Sequence, residues 1–367
     1  MAMDIRIPIV LVIVFATYLF GNSNTGKKQY IILVSTLLIL ESCLRSMFIG
    51  PDDTYNYYNM FKCYTDVSKL NIIELFKDGY VNMQLYAKDP GFIVLVYLFH
   101  ILSDNYQLFL LFAAIIFFVP LGVILNRYTK DIHDVKFAYI LHMALFHVIA
   151  MCCLRQQIAS GIAFLIFLCV IDKKYICAVI LFAIGFTIHK SMILISMPII
   201  LVYVFDNYIK KVHLISFFIA PIFFFLSHRI IGLMAEATQN DYYMDYANSE
   251  GSGYTFLILA EMCSLVCYIA IKTKDLNNTT FAYKYIYSML PFLTIFVPLI
   301  TVDGAMIRIS QYFTLYLLVL LPISIKSLKL LGTASFKMTF AMLILLILMF
   351  MHPYEYHSFW EFVPNPY

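Results

Sequence analysis

Apolar runs of membrane-crossing length, each closed off by a short polar turn, repeat along almost the whole chain. A helix rises about 1.5 Å per residue and a hydrocarbon core is roughly 30 Å thick, so a run of about 15 to 20 such residues nearly or fully crosses it. Runs at residues 7–20, 30–49, 106–125, 137–153, 156–171, 175–189, 191–205, 213–231, 254–272, 283–301, 305–325 and 336–351 predict twelve transmembrane helices. Asp4 and Arg6 precede the first run and no small-residue cleavage site follows it, which reads as a retained span. The run from Gly91 to Leu102 is too short to cross and stops at Ser103-Asp104-Asn105, so it is expected to lie in the interface or to re-enter. The longest polar stretch, 51–89, follows the second span. It contains an amphipathic piece around Ile72, Ile73, Leu75 and Phe76 that suits the membrane surface.

Composition places the chain outside the soluble globular classes. Of its 367 residues, 62% are hydrophobic and only 13% charged. No long polar block divides it, so residues 1–367 read as one all-α, polytopic membrane domain, with larger loops at 51–89 and 232–253. Eight cysteines fall mostly in apolar segments, without CxxC pairs or Cys/His ligand spacing. They read as buried thiols, and no metal site, cofactor or disulfide framework is expected. No glycine-rich phosphate loop or nucleophile elbow is present, which argues against soluble nucleotide chemistry, and no nucleic-acid partner is expected.

Charge sets the expected orientation. With Gly91–Leu102 counted as non-crossing, the alternate connections near 27, 127–136, 173, 210, 272–284 and 326–337 hold 15 of the 25 lysines and arginines and are assigned to the cytoplasm. Counting it as a span would put Arg127, Lys130 and Lys136 outside. Both termini, the two larger loops and the tail from His352 are then expected to face outward. Those cytoplasmic turns contain a single arginine, whereas Arg6, Arg45, Arg155, Arg229 and Arg308 lie at or near outer ends of spans. Arginine presents a planar fork suited to phosphate or carboxylate, although snorkelling or pairing with loop acids would also place it there.

Three constellations could carry chemistry. The first joins Arg45 to Gly50-Pro51-Asp52-Asp53-Thr54-Tyr55-Asn56-Tyr57-Tyr58, a cation, two acids and an aromatic cluster suited to sugar rings, or else an interfacial tyrosine belt. The second pairs Leu154-Arg155-Gln156-Gln157 with His189-Lys190-Ser191. These clusters flank two apolar runs joined by Asp172-Lys173-Lys174, so Arg155 and His189 are expected at similar depth. A charge there has a functional default reading with a partner expected, against an inter-helix hydrogen-bond network. The third is Asp303-Gly304 with Arg308 and Tyr312, the last two sharing a helix face, with an Asp303–Arg308 pair as the plain account. His100, His142 and His147 have no matched acids in the sequence and read as structural.

The order of Arg45, Gly50 to Tyr58, Pro90-Gly91-Phe92, Leu154-Arg155-Gln156-Gln157-Ile158-Ala159, His189-Lys190-Ser191 and Arg308 to Tyr312 resembles the EpsG family of Wzy-like polysaccharide polymerases. Two adjacent acids, Asp52 and Asp53, stand where one is expected. The resemblance implies a GT-C-like helical bundle in the bacterial inner membrane. Its active site would face outward, joining polyprenyl-diphosphate-linked oligosaccharides for O-antigen, capsule or exopolysaccharide. It implies a lipid-linked donor and acceptor as substrates, the bilayer as surroundings, and a chain-length regulator as a candidate partner. His189, Arg155 and Asp52 or Asp53 would act in catalysis. Arg45, Tyr57, Tyr58, Gln156, Lys190, Arg308 and Tyr312 would bind substrate, with arginines in place of a metal. The competing readings are a lipid-linked oligosaccharide flippase, which would want its charges at the midplane between repeated halves, and a related glycan ligase or O-acyltransferase.

Overall fold

The computed structural model describes residues 4–48, 53–78, 80–81, 85–86, 89–238, 241–249, 251–272, 279–328, 332–351 and 356–359. These divide into two compact units, one of residues 1–192 with 344–367 and one of 193–343. The first contains α1 (Arg6–Phe20), α2 (Asn24–Cys43), α3 (Asp53–Cys63), α4 (Ile72–Asp78), α5 (Pro90–His100), α6 (Tyr106–Tyr128), α7 (Ile132–Leu145), α8 (His147–Cys152), α9 (Leu154–Ile171) and α10 (Tyr175–Ile188). The second contains α11 (Ser196–Phe205), α12 (Ile209–Phe225), α13 (Ser227–Thr238), α14 (Asp241–Ala247), α15 (Tyr254–Lys272), α16 (Phe281–Phe296), α17 (Ile307–Thr314) and α18 (Leu317–Ser327). A last helix, α19 (Ala334–Met351), runs across the division. Among the described residues the β structure is a two-residue antiparallel ladder, Tyr80–Val81 with Leu85–Tyr86, and a single antiparallel bridge, Arg45 with Ser358.

Short polar residues between the apolar runs start the helices. Ser23 accepts from the Gly26 amide ahead of α2, Asn105 from Leu108 ahead of α6, and Asp131 from Asp134 ahead of α7. Each satisfies an amide that the first turn leaves without a partner. In the first unit α6 packs against both α2 and α9. At Gly161 an added Cβ would fall 2.3 Å from the Ile116 carbonyl oxygen, so only glycine lets α9 come this close to α6.

The two ends of the first unit are distinct. At one end Lys27 Nζ donates to the carbonyls of Asn126 (2.9 Å) and Thr129 (3.0 Å), and Arg127 pairs with Asp172 at 2.9 Å. The turns grouped by their charge thus meet in space. At the other end Gln107 Nε2 donates to the Arg45 carbonyl (3.1 Å), and the tail crosses residues 44–46 through Ser46 N–His357 O (2.8 Å) and Phe359 N–Leu44 O (2.9 Å). In the second unit Lys284 reaches Asp206 at 2.8 Å, while Ser249 and Ser252 bond the carbonyls of Val302 and Thr301.

Among the described residues, five helical stretches are long and apolar enough to cross a membrane: Tyr106–Tyr128, Leu154–Ile171, Lys190–Phe225, Tyr254–Ile271 and Phe281–Thr301. A sixth counts if α17 and its preceding turn are taken with α18, despite a 66° bend between them. Several expected spans are interrupted. The 137–153 run breaks at Phe146 into α7 and α8, the 191–205 run opens as a 3-10 helix over Lys190–Ile195, and the 213–231 run breaks at Leu226. Apolar side chains nevertheless stay exposed along α10, α12, α15 and α19, as lipid-facing helices require: Ile176, Val179, Phe218, Phe225, Ile258, Met262, Phe336 and Ile347 among them.

The Gly91–Leu102 run forms most of α5. Its 11 residues reach only about 16 Å at helical rise. Asp89 at its start lies against Arg155, and His100 at its last turn bonds the Phe61 carbonyl at 2.8 Å on α3. The chain then enters α6 at the Arg45 end, so α5 returns to the end where it began. On α4, Leu75 is buried while Ile72, Ile73 and Phe76 are exposed, which leaves an apolar face uncovered.

Two histidines read as lacking acids have them. His147 Nε2 meets Glu41 Oε1 at 2.7 Å in a fully buried pair joining α8 to α2, and His100 Nδ1 meets Asp104 at 2.6 Å. The first partner is 106 residues away in sequence, so periodicity carries no trace of it. His142, by contrast, packs between Phe117, Phe118 and Phe146 with no hydrogen-bond partner among the described residues.

Candidate functional site

Arg155 stands in the first turn of α9, directly after the vicinal Cys152 and Cys153, and His189 terminates α10 in extended conformation (φ −154°, ψ 108°). Both side chains converge on Asp89. Arg155 Nη1 donates to Asp89 Oδ2 at 2.7 Å, His189 Nδ1 lies 3.4 Å from the same oxygen, and the Lys190 amide lies 3.4 Å from Oδ1. The similar depth expected for Arg155 and His189 therefore has a concrete form, one carboxylate shared between two helices.

Asp89 occupies the N-cap of α5, where an aspartate ordinarily accepts from the first turn. It makes no side-chain cap bond, because its carboxylate is turned toward Arg155 and His189. Burial to 4% exposure pushes its pKa up, but the hydrogen bond from His189, the Arg155 charge and the Lys190 amide outweigh this and hold the carboxyl below its ordinary value. Gly91 makes the arrangement possible. A Cβ there would fall 2.1 Å from Thr187 Oγ1 and 2.6 Å from its backbone carbon, so α5 starts directly against the end of α10.

Aromatic side chains complete one wall. Tyr57 on α3 accepts from Arg155 Nε at 3.3 Å, its ring centroid lies 5.6 Å from the guanidinium, and it packs edge-on to Phe92. Tyr58 packs on Tyr106, with Lys62 above its ring. Gln156 is buried beside Arg155. Asp53 opens α3, whereas Asp52, Gly50 and Pro51 lie outside the described residues. Arg45 is only 1% exposed. Its Nη1 donates to the Ser42 carbonyl (2.5 Å) and hydroxyl (2.6 Å), and Ser42 in turn accepts from Gln157. Arg308 and Tyr312 share α17 in the second unit, with Tyr312 buried. Asp303 caps the short turn ahead of that helix through the Ala305 amide (2.7 Å).

The sequence matches the EpsG family over residues 9–363, nearly the whole chain. The chain belongs to the EpsG family. EpsG is a family of Wzy-like polysaccharide polymerases, and with its apolar helices this member is a membrane protein with a polymerase-like role in polysaccharide biosynthesis. Comparisons with curated proteins and with solved structures each found no match. Within this EpsG member the residue absent from the sequence reading is Asp89. Its one local signal is an acid directly before Pro90-Gly91, which marks a helix start. Its partner Arg155 is 66 residues further on.

Proposed function

We propose that this chain polymerises polyprenyl-diphosphate-linked oligosaccharide units on the extracytoplasmic face of a bacterial inner membrane, in a twelve-span, GT-C-like arrangement with both termini outside. The observation that carries the reading is the convergence of Arg155 and His189 on the buried carboxylate of Asp89. In the reaction the acceptor sugar hydroxyl attacks C1 of the donor glycan, the C1–O bond to the diphosphate breaks, and the polyprenyl diphosphate leaves. Arg155, 17% exposed, binds the diphosphate and stabilises the charge that develops on it, with Arg45 as a further cation. Arginine charges serve where another enzyme would use a metal ion.

His189 accepts the hydroxyl proton, and Asp52 or Asp53 is the alternative base. Asp89 is a poor acceptor at neutral pH because its carboxyl is held low, so its part is to orient. An imidazole that donates through Nδ1 to a carboxylate presents Nε2 as the accepting nitrogen. The aromatic rings of Tyr57 and Tyr58 suit the apolar faces of sugars.

The test is a deletion strain complemented with wild type or Arg155→Ala at native expression, its lipid-linked and surface glycans resolved on a gel. A ladder in wild type that collapses to a single outward-facing repeat unit supports the reading. Normal polymer from the variant removes Arg155 from the mechanism. Single units retained on the cytoplasmic side replace the polymerase with a flippase.

A further inference from the structure

The second unit contains a run of polar side chains that the polymerase reading does not use. His213 on α12 joins the Tyr287 hydroxyl through Nδ1 at 2.8 Å and the Ser264 hydroxyl through Nε2 at 2.9 Å. Ser264 continues to the Thr294 hydroxyl at 2.8 Å, and Thr294 faces the carboxyl of Glu261. Tyr287, His213, Ser264 and Thr294 are all fully enclosed, on three helices that cross or nearly cross the membrane. One helical turn before Tyr287, Tyr283 leads to the end of the unit where Lys284 pairs with Asp206. At the opposite end Glu261 lines a cavity of 410 Å³ between α12 and α15, whose other walls are Phe217, Pro221, Phe224, Leu257 and further apolar side chains. Its Oε1 has no hydrogen-bond partner among the described residues.

We infer that the second unit carries a proton-exchange site inside the membrane, in which Glu261 takes up and releases a proton through Thr294, Ser264, His213 and Tyr287. Every member both donates and accepts, the requirement for passing a proton along a chain, and the hydrogen bonds are unbroken from Tyr287 to Thr294, which faces the carboxyl. In uptake, Tyr287 passes its proton to His213 Nδ1 and is itself reprotonated by a water that enters from the Lys284–Asp206 end. His213 releases the proton on Nε2 to Ser264, which passes one to Thr294, and Thr294 protonates the Glu261 carboxylate. Each hop breaks one O–H or N–H bond and forms one, and the net change is one proton moved from water to Glu261. Release runs the same hops backward.

A purely structural network would also hold α12, α15 and α16 together, but it gives no reason for a carboxyl at its end beside an apolar cavity. A lone intramembrane acid is costly and marks proton or ion pathways. The elements packed on α15 offer little else that titrates. The 3-10 turn Val297–Thr301 has no titratable group, and α18 has only Lys326 in its last turn. On α12 are Lys210, Lys211 and His213, and on α16 are Tyr283, Lys284, Tyr285 and Tyr287.

The test is infrared spectroscopy of the full chain in lipid nanodiscs after a rapid pH jump. Wild type should show a carboxylic C=O band that follows bulk pH and is missing from Glu261→Gln. His213→Gln, which keeps a donor and an acceptor but relays no proton, should slow that band by about 100-fold or more, the low end of what a positioned proton-transfer group contributes. Ser264→Ala, a smaller change at a separate link, should slow it likewise. Absence of a Glu261 band that responds to pH overturns the site. Unchanged rates in folded His213→Gln or Ser264→Ala, judged by monodispersity and melting, overturn the relay.

Discussion

Asp89 and Arg155, 66 residues apart, form an ion pair of 2.7 Å in which the acid is 4% exposed and the arginine 17%. The pair ties the N-terminus of α5 to the first turn of α9, and His189 closes it from α10. Removing one partner leaves the other charge poorly solvated. Arg155→Ala should therefore lower stability by about 3–5 kcal/mol, and the Asp89→Asn, Arg155→Ala double variant should recover a substantial part of it. Thermal unfolding of the purified chain in detergent measures both. Additive losses in the double variant would show that the two residues do not act as a pair, and the same measurement separates a folding defect from loss of polymer.

The pair also sets an acid limit. Asp89 titrates below its ordinary value of 3.8, so it binds fewer protons folded than unfolded, and its contribution is complete above the ordinary carboxylate range. That contribution disappears only as pH falls through the lower folded value. Melting temperature plotted against pH should thus fall on the acid side in wild type, and Asp89→Asn should flatten that fall while lowering stability near neutrality. An identical acid limb in both proteins would contradict the depressed carboxyl.

Gly91→Ala should misplace Asp89 without changing any charge. The new methyl meets the backbone of Thr187 as well as its hydroxyl, so Thr187→Ala should rescue little, and overpacking of this kind costs about 1–3 kcal/mol. Polymer length should fall together with melting temperature. Wild-type behaviour of Gly91→Ala would mean that α5 and α10 separate freely.

The tail has a measurable part in the first unit. Tyr356 donates its hydroxyl to the Glu41 carbonyl at 2.8 Å, next to the Glu41–His147 pair. Tyr356→Phe should cost about 1 kcal/mol, and Glu41→Ala, which strands the buried His147, about 1–3 kcal/mol. Equal effects of the two changes on melting would show that the pair carries no more than one ordinary hydrogen bond.

Hydrophobic period and charge were sufficient for the helical membrane class, for the short α5 and for which turns of the first unit share an end. These properties follow from segment length and from the cost of charge in hydrocarbon, both local to the chain. They also placed Arg155 and His189 together, because two runs of similar length joined by one tight turn return to the same depth. Where α7, α12 and α17 break was not legible, since a run of apolar residues reads the same whether its helix is continuous or interrupted.

Partnerships across the fold were decided by tertiary structure alone. Asp89 carried no reading in the sequence, and only the packing of α9 and α10 turned its carboxylate toward a guanidinium and an imidazole. His147 looked unmatched because 106 residues separate it from Glu41. His213, Glu261 and their hydroxyl links lie on three helices and have no shared motif. A buried polar group must find its partner in space, and packing brings together residues that no sequence spacing relates.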